Sequence, residues 1–199
     1  MFDKIINGFV KTFIAENRYK LFLGGFANTI KIAVVATLIG VAIGAVVAIV
    51  RVFNKQTGKL KLLSKICEIY TTIIRGTPLV VQLLITYNII FVWSRNAIGV
   101  GMVGFGLNSV TTMKSIVLPQ AIKNVLPAIG NEFISLLKET SIIGYLGVID
   151  LTKAADRVIS RTMNVYFPYI SIALVYLAVV YGLSYLLKRL ERRLAKSDR

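Results

Sequence analysis

The chain has 199 residues, 56% of them hydrophobic, with a formal net charge of +15 and a mean hydropathy of +0.72. Soluble domains hold ~45–50% apolar residues, so the excess excludes an ordinary water-soluble domain. One cysteine, Cys67, and no histidine exclude an internal disulfide, a cysteine-cluster metal site and histidine catalysis, and no cofactor is expected.

Residues 1–20 place Phe2, Ile5, Ile6, Phe9, Val10, Phe13 and Ile14 at helical spacing, which predicts an amphipathic helix lying at a membrane interface. No apolar core of a cleavable signal follows Lys4. The first span is predicted over Leu21–Val50, where 19 residues from Ile32 carry no charge, close to the ~20 that a crossing helix needs. Along it Ala36, Gly40, Gly44 and Ala48 form a ladder of small residues, the kind of face over which helices approach closely in lipid. Lys31, near its outer end, can snorkel to the interface.

A basic loop follows, with Arg51, Lys55, Lys59, Lys61 and Lys65. A second basic group, Lys188 to Arg199, ends the chain. Basic residues flanking spans mark the cytoplasmic side, so the positive charge reads as topology and no nucleic-acid partner is expected. The next apolar run carries RGTPLVVQL over Arg75–Leu83. Gly76 and Pro78 loosen the helix and remove a backbone donor, so a bend is predicted there. It reads equally as a mobile element of a transporter or as a plain kink.

Residues 96–113 form a weak, glycine-rich span. KSIVLPQAIKNVLP over 114–127 mixes apolar and polar positions and predicts a short helix at the membrane edge, exposing a docking surface. Ala128–Ile149 is apolar but holds Glu132, Lys138 and Glu139. Charges at that depth usually face a cavity or a partner, so a broken or re-entrant helix is expected. Asp150–Arg161 is polar and expected outside, and Tyr166–Leu187, 22 residues without a charge, is the cleanest span. The whole chain reads as one all-α, polytopic transmembrane bundle of about four to five spans.

Enzyme signatures are missing. Gly58-Lys59 is followed by Leu60 and lacks the upstream glycine of a phosphate-binding loop. The residues alone leave a transporter or channel component, or an assembly factor. An ion channel is disfavoured, because no ring of charges or carbonyl filter is visible.

Three segments carry a resemblance: RGTPLVVQL, the long IVLPQAIKNVLPAIGNEFISLLKETSIIGYLGVIDLT over Ile116–Thr152, and KRLERRL over Lys188–Leu194. They resemble the permease subunits of polar amino-acid ABC importers, and with the first span the likeness covers nearly the whole chain. It implies five spans with the N-terminus outside and the C-terminus inside, in a bacterial cytoplasmic (inner) membrane. It implies cytoplasmic ATPase subunits, an extracytoplasmic amino-acid-binding protein, a second permease subunit that is identical or homologous, and surrounding lipid. The permease itself catalyses no bond chemistry.

In that family an Ile-x-Leu-Pro element closes a cytoplasmic coupling motif, matched here by Ile116, Leu118 and Pro119. Its glycine ten positions upstream is matched by Gly106, so 106–127 reads as the coupling segment. The family motif opens with Glu-Ala-Ala, where this chain has Val100, Gly101 and Met102. GLNS at Gly106–Ser109 resembles two tetrapeptides of the family. The departure implies that they were joined and the roughly thirty residues between them lost, an amount beyond the ~20 of one crossing. The expected substrate pathway comprises Thr77, Pro78, Gln82, Asn131 and Glu132, with Glu132 alternatively paired to Lys138 or Arg75. The rival expectation is a truncated, non-transporting membrane scaffold.

Overall fold

The computed structural model describes residues 2–91, 93–94, 96–113 and 125–196. The described residues are helical apart from short turns, in the order α1 (Phe2–Phe9), α2 (Tyr19–Thr57), α3 (Lys61–Gly76), α4 (Leu79–Ile85), α5 (Ala97–Met113), α6 (Val125–Glu139), α7 (Leu151–Thr162) and α8 (Tyr166–Lys196).

The N-terminal segment is helical as expected, but not one helix. α1 passes into a π turn and then a short 3-10 turn, which breaks where Glu16 and Asn17 both take φ 55°. Phe13 sits between Phe22 of α2, 4.9 Å away, and Phe167 of α8, 6.5 Å away. Arg18 is buried at the break, where its Nη1 donates to the Lys11 carbonyl at 2.6 Å and its Nη2 pairs with Glu16 at 3.1 Å.

The first span is longer than Leu21–Val50. α2 continues through Arg51 and Lys55 to Thr57 and stops on left-handed Gly58. Basic residues near a helix C-terminus are favourable to the helix dipole, so the charges that suggested a loop extend the helix instead. Only Gly58–Leu60 separates it from α3, which packs Cys67 and Tyr70 against Val47, Val50 and Ile43.

By length and apolar composition α2 and α8 can each cross a membrane unbroken, and α3 with α4 makes a third crossing if that bent pair is one span. The centre is the contact of α2 with α5, the most extensive between helices. Phe105 of α5 is fully buried among Ile32, Ala36, Leu83, Leu136 and Ile143. Gly106 meets Ala36 and Ile39, while the Leu107 carbonyl accepts from Tyr70, which packs beside Ile43. All four ladder residues, Ala36, Gly40, Gly44 and Ala48, are buried.

α6 ends at Glu139 and gives way to a 3-10 turn over Thr140–Leu146, so the expected interruption falls just after the Lys138-Glu139 pair. The polar stretch after it is an amphipathic helix, α7, with Leu151, Ala154, Ala155 and Val158 turned inward onto α2 and α8. α8 is nearly bare along its apolar length.

Candidate functional site: a clamped helix break and a polar cleft

The first site is the break between α3 and α4, which meet at 113°. Thr77 and Pro78 both take extended backbone. Proline disfavours the helical region for the residue before it, and its missing N–H is harmless at the start of the next helix. Gln82, one turn into α4, folds back across the break. Its Nε2 lies 2.8 Å from the Ile74 carbonyl, 2.9 Å from the Thr77 carbonyl and 2.8 Å from Thr77 Oγ1. Thr77 Oγ1 in turn donates to the Ile73 carbonyl at 2.9 Å. A broken helix exposes carbonyls that have lost their amide partners, and one glutamine amide satisfies two of them. The structure thus joins Thr77, Pro78 and Gln82 in a single clamp.

Asn131 and Glu132 lie elsewhere, on α6 beside Gly130, whose missing side chain admits Leu187 of α8. Asn131 is exposed and Glu132 half-buried. Of the coupling residues, Gly106 is buried in the α2–α5 seam, while Ile116, Leu118 and Pro119 lie outside the described residues.

The second site was not anticipated. At the Phe22 end of α2 the start of α7 is held tightly. Gly25 approaches the Asp150 carbonyl so closely that no side chain fits. Asn28 Nδ2 donates to the Ile149 carbonyl at 2.9 Å, and the Leu151 amide donates to Thr29 Oγ1 at 3.3 Å. Asp150, fully buried, caps α7 by accepting from the Lys153 and Thr152 amides at 2.8 and 3.1 Å. Burial pushes its carboxyl above the usual carboxylate range, with those amides opposing the shift.

On the other face of α7 a cleft of about 500 Å3 opens, lined by Ser141, Gly144, Tyr145, Thr152, Lys153, Asp156 and Tyr169. Lys153 Nζ lies 3.8 Å from Asp156 Oδ2, and the Tyr169 hydroxyl donates to Asp156 Oδ1 at 2.8 Å. The sequence signal for it was slight: opposite charges three residues apart in a polar stretch, with a tyrosine on the next helix.

The comparisons with known proteins agree with one another. Residues 101–196 match the family of binding-protein-dependent transport system inner membrane components. A putative glutamine transport system permease protein of Rickettsia bellii is 33% identical over 87% of this chain and 92% of its own length. The arginine transport system permease protein of Bacillus subtilis is 32% identical over 88% and 93%. Among solved structures, an amino acid ABC transporter with histidines superposes with a TM-score of 0.78 at 33% identity, over 88% of this chain and 94% of that one. The MetNI methionine ABC transporter, at 16% identity and a TM-score of 0.72, shares the fold. The alignment to the Rickettsia felis relative spans 232 positions but takes up 98% of 199 residues here, so about 37 positions of that relative face no residue of this chain.

Proposed function

This chain belongs to the inner-membrane permease components of binding-protein-dependent ABC transport systems, and from that premise we propose that it is one half of an importer for polar amino acids. The observation that carries the substrate class is its likeness, over about nine-tenths of both chains, to permeases named for glutamine and arginine. The chain crosses a bacterial cytoplasmic membrane several times, with the Arg51 end of α2 and the tail of α8 inside and α7 outside. The clustering of basic residues at those two ends supports this orientation.

A second permease subunit, identical or homologous, completes the pathway. An extracytoplasmic binding protein delivers the amino acid, and ATPase subunits dock on the cytoplasmic face through Ile116, Leu118 and Pro119. Gly106 serves this surface from within, by seating α5 against α2 ahead of the segment. The clamped break suits alternating access, since a pre-bent pair of helices can tilt without rupturing backbone hydrogen bonds. Asn131 and Glu132, with Thr77, Pro78 and Gln82, contribute polar groups along the route. By the resemblance, the positions missing relative to the family fall at Gly106–Ser109, ahead of the docking surface.

The test is amino-acid-stimulated ATP hydrolysis and uptake in proteoliposomes containing this chain, its ATPase and its binding protein, beside a version with the missing block restored. Stimulation by L-glutamine or L-arginine in both is the expected result. A response from the restored version alone would reduce this chain to a non-transporting scaffold. A response from neither would end the importer reading.

A further inference from the structure

The cleft beside α7 combines features that the packing of the helices does not require. It has a cation and an anion one helical turn apart, each side chain 40% exposed, and the anion's second oxygen is fixed by the Tyr169 hydroxyl. Hydroxyl-bearing Ser141 and Thr152 also line it. Its volume, about 500 Å3, falls within the ~300–1,000 Å3 of pockets that hold small molecules. An exposed ion pair of this kind contributes little to stability, so its two charges are readily given up to a ligand that offers the complementary pair.

We propose that this cleft takes the zwitterionic head of an amino acid, with Asp156 holding the α-ammonium and Lys153 the α-carboxylate. The free amino acid carries both charges within a few bonds of each other, matching the 3.8 Å between the protein's own. Charge-assisted hydrogen bonds are roughly twice as strong as neutral ones, and the site reads the part that all amino acids share. Ser141 is left to hydrogen-bond a polar side chain. Tyr169 is a positioning residue: its donation keeps Asp156 Oδ1 occupied and leaves Oδ2 for the ammonium. Under the orientation given above the cleft opens outside, where an incoming amino acid first meets the permease, and the proposal rests on the importer reading in that respect.

Equilibrium binding of radiolabelled L-glutamine and L-arginine to the full chain in nanodiscs tests it directly. Lys153→Met and Asp156→Asn, each eluting like the unaltered protein, should weaken binding at least tenfold. The α-methyl ester of glutamine, lacking the carboxylate, and N-acetylglutamine, lacking the ammonium, should compete at least tenfold less well than glutamine. Equal affinity in the unaltered and altered proteins, equal competition by the blocked analogues, or no binding to the unaltered protein would overturn the site. The importer reading is decided separately by the proteoliposome uptake, so the two failures are distinguishable.

Discussion

Alanine at Gly106 and alanine at Gly101 should have opposite effects, although Gly101 has the nearer neighbour. A Cβ at Gly106 would lie 2.7 Å from both Cβ and Cγ2 of Ile39 and 3.2 Å from the Ala36 carbonyl oxygen. Ile39 is β-branched and holds one preferred rotamer in a helix, and the other two contacts belong to the helix frame. No side chain can swing away, so α2 and α5 must part. Overpacking of this kind costs ~1–3 kcal/mol, against a gain of up to ~1 kcal/mol from replacing glycine in a helix. At Gly101 the neighbour is Ile143 Cδ1, the tip of a flexible chain, so the helix gain should survive largely intact. Gly24, with no atom within reach of a Cβ, supplies the baseline. The expected order of stability is Gly24→Ala, then Gly101→Ala, with Gly106→Ala lowest by ~1–2 kcal/mol. That gap corresponds to roughly 2–8 °C in melting temperature for a chain of this size. Thermal unfolding of the detergent-solubilised protein, followed by size-exclusion recovery, reads it. Gly106→Ala melting at or above Gly101→Ala would refute the idea that backbone contact sets the α2–α5 spacing.

Three further outcomes follow from the structure. Gln82→Leu removes the amide shared by the half-buried Ile74 and exposed Thr77 carbonyls, and a hydrogen bond of this kind contributes ~0.5–1.5 kcal/mol. Spin labels at exposed Ile66 and Ile89, in a Cys67→Ala background, should show a broadened distance distribution, and an unchanged one would mean that Gln82 does not hold the bend. Asp150→Ala deletes the α7 cap and should lower stability by ~1–2 kcal/mol. Asp150→Asn should keep most of it, so equal losses in a melting series would point away from capping. Leu118→Asp should abolish co-purification with the ATPase while leaving membrane insertion intact, and full retention would remove that residue from the docking surface.

Composition made the membrane character and the two unbroken apolar helices legible, because lipid forces every backbone group to be satisfied within the helix. The ladder from Ala36 to Ala48 was legible for a related reason: close approach in lipid selects small residues. The break at Gly76–Pro78 could be read because proline acts on its immediate neighbours. The Gln82 clamp could not, since a glutamine four residues past a proline reads as a polar group in search of a ligand. α7 reads in the sequence only as polar and external, because a twelve-residue helix with four inward positions blurs into a loop when charges dominate. The cleft was out of reach in principle. Its residues come from the 3-10 turn, α7 and α8, and their meeting depends on how Asp150 and Thr29 anchor the intervening chain.

α8 leaves the ribosome after α2 to α7. Most of what holds α2 to α7 together lies upstream of it, while its own apolar length is almost bare. It meets the rest through Phe167, Ile172 and Tyr176 in its first half and through Leu187 against Gly130 further on. The earlier helices can therefore settle before it arrives, and it then docks on a finished surface. A late-docking helix held along one side is also the one whose long free flank waits for lipid or for a second subunit, which makes assembly the final stage of its folding.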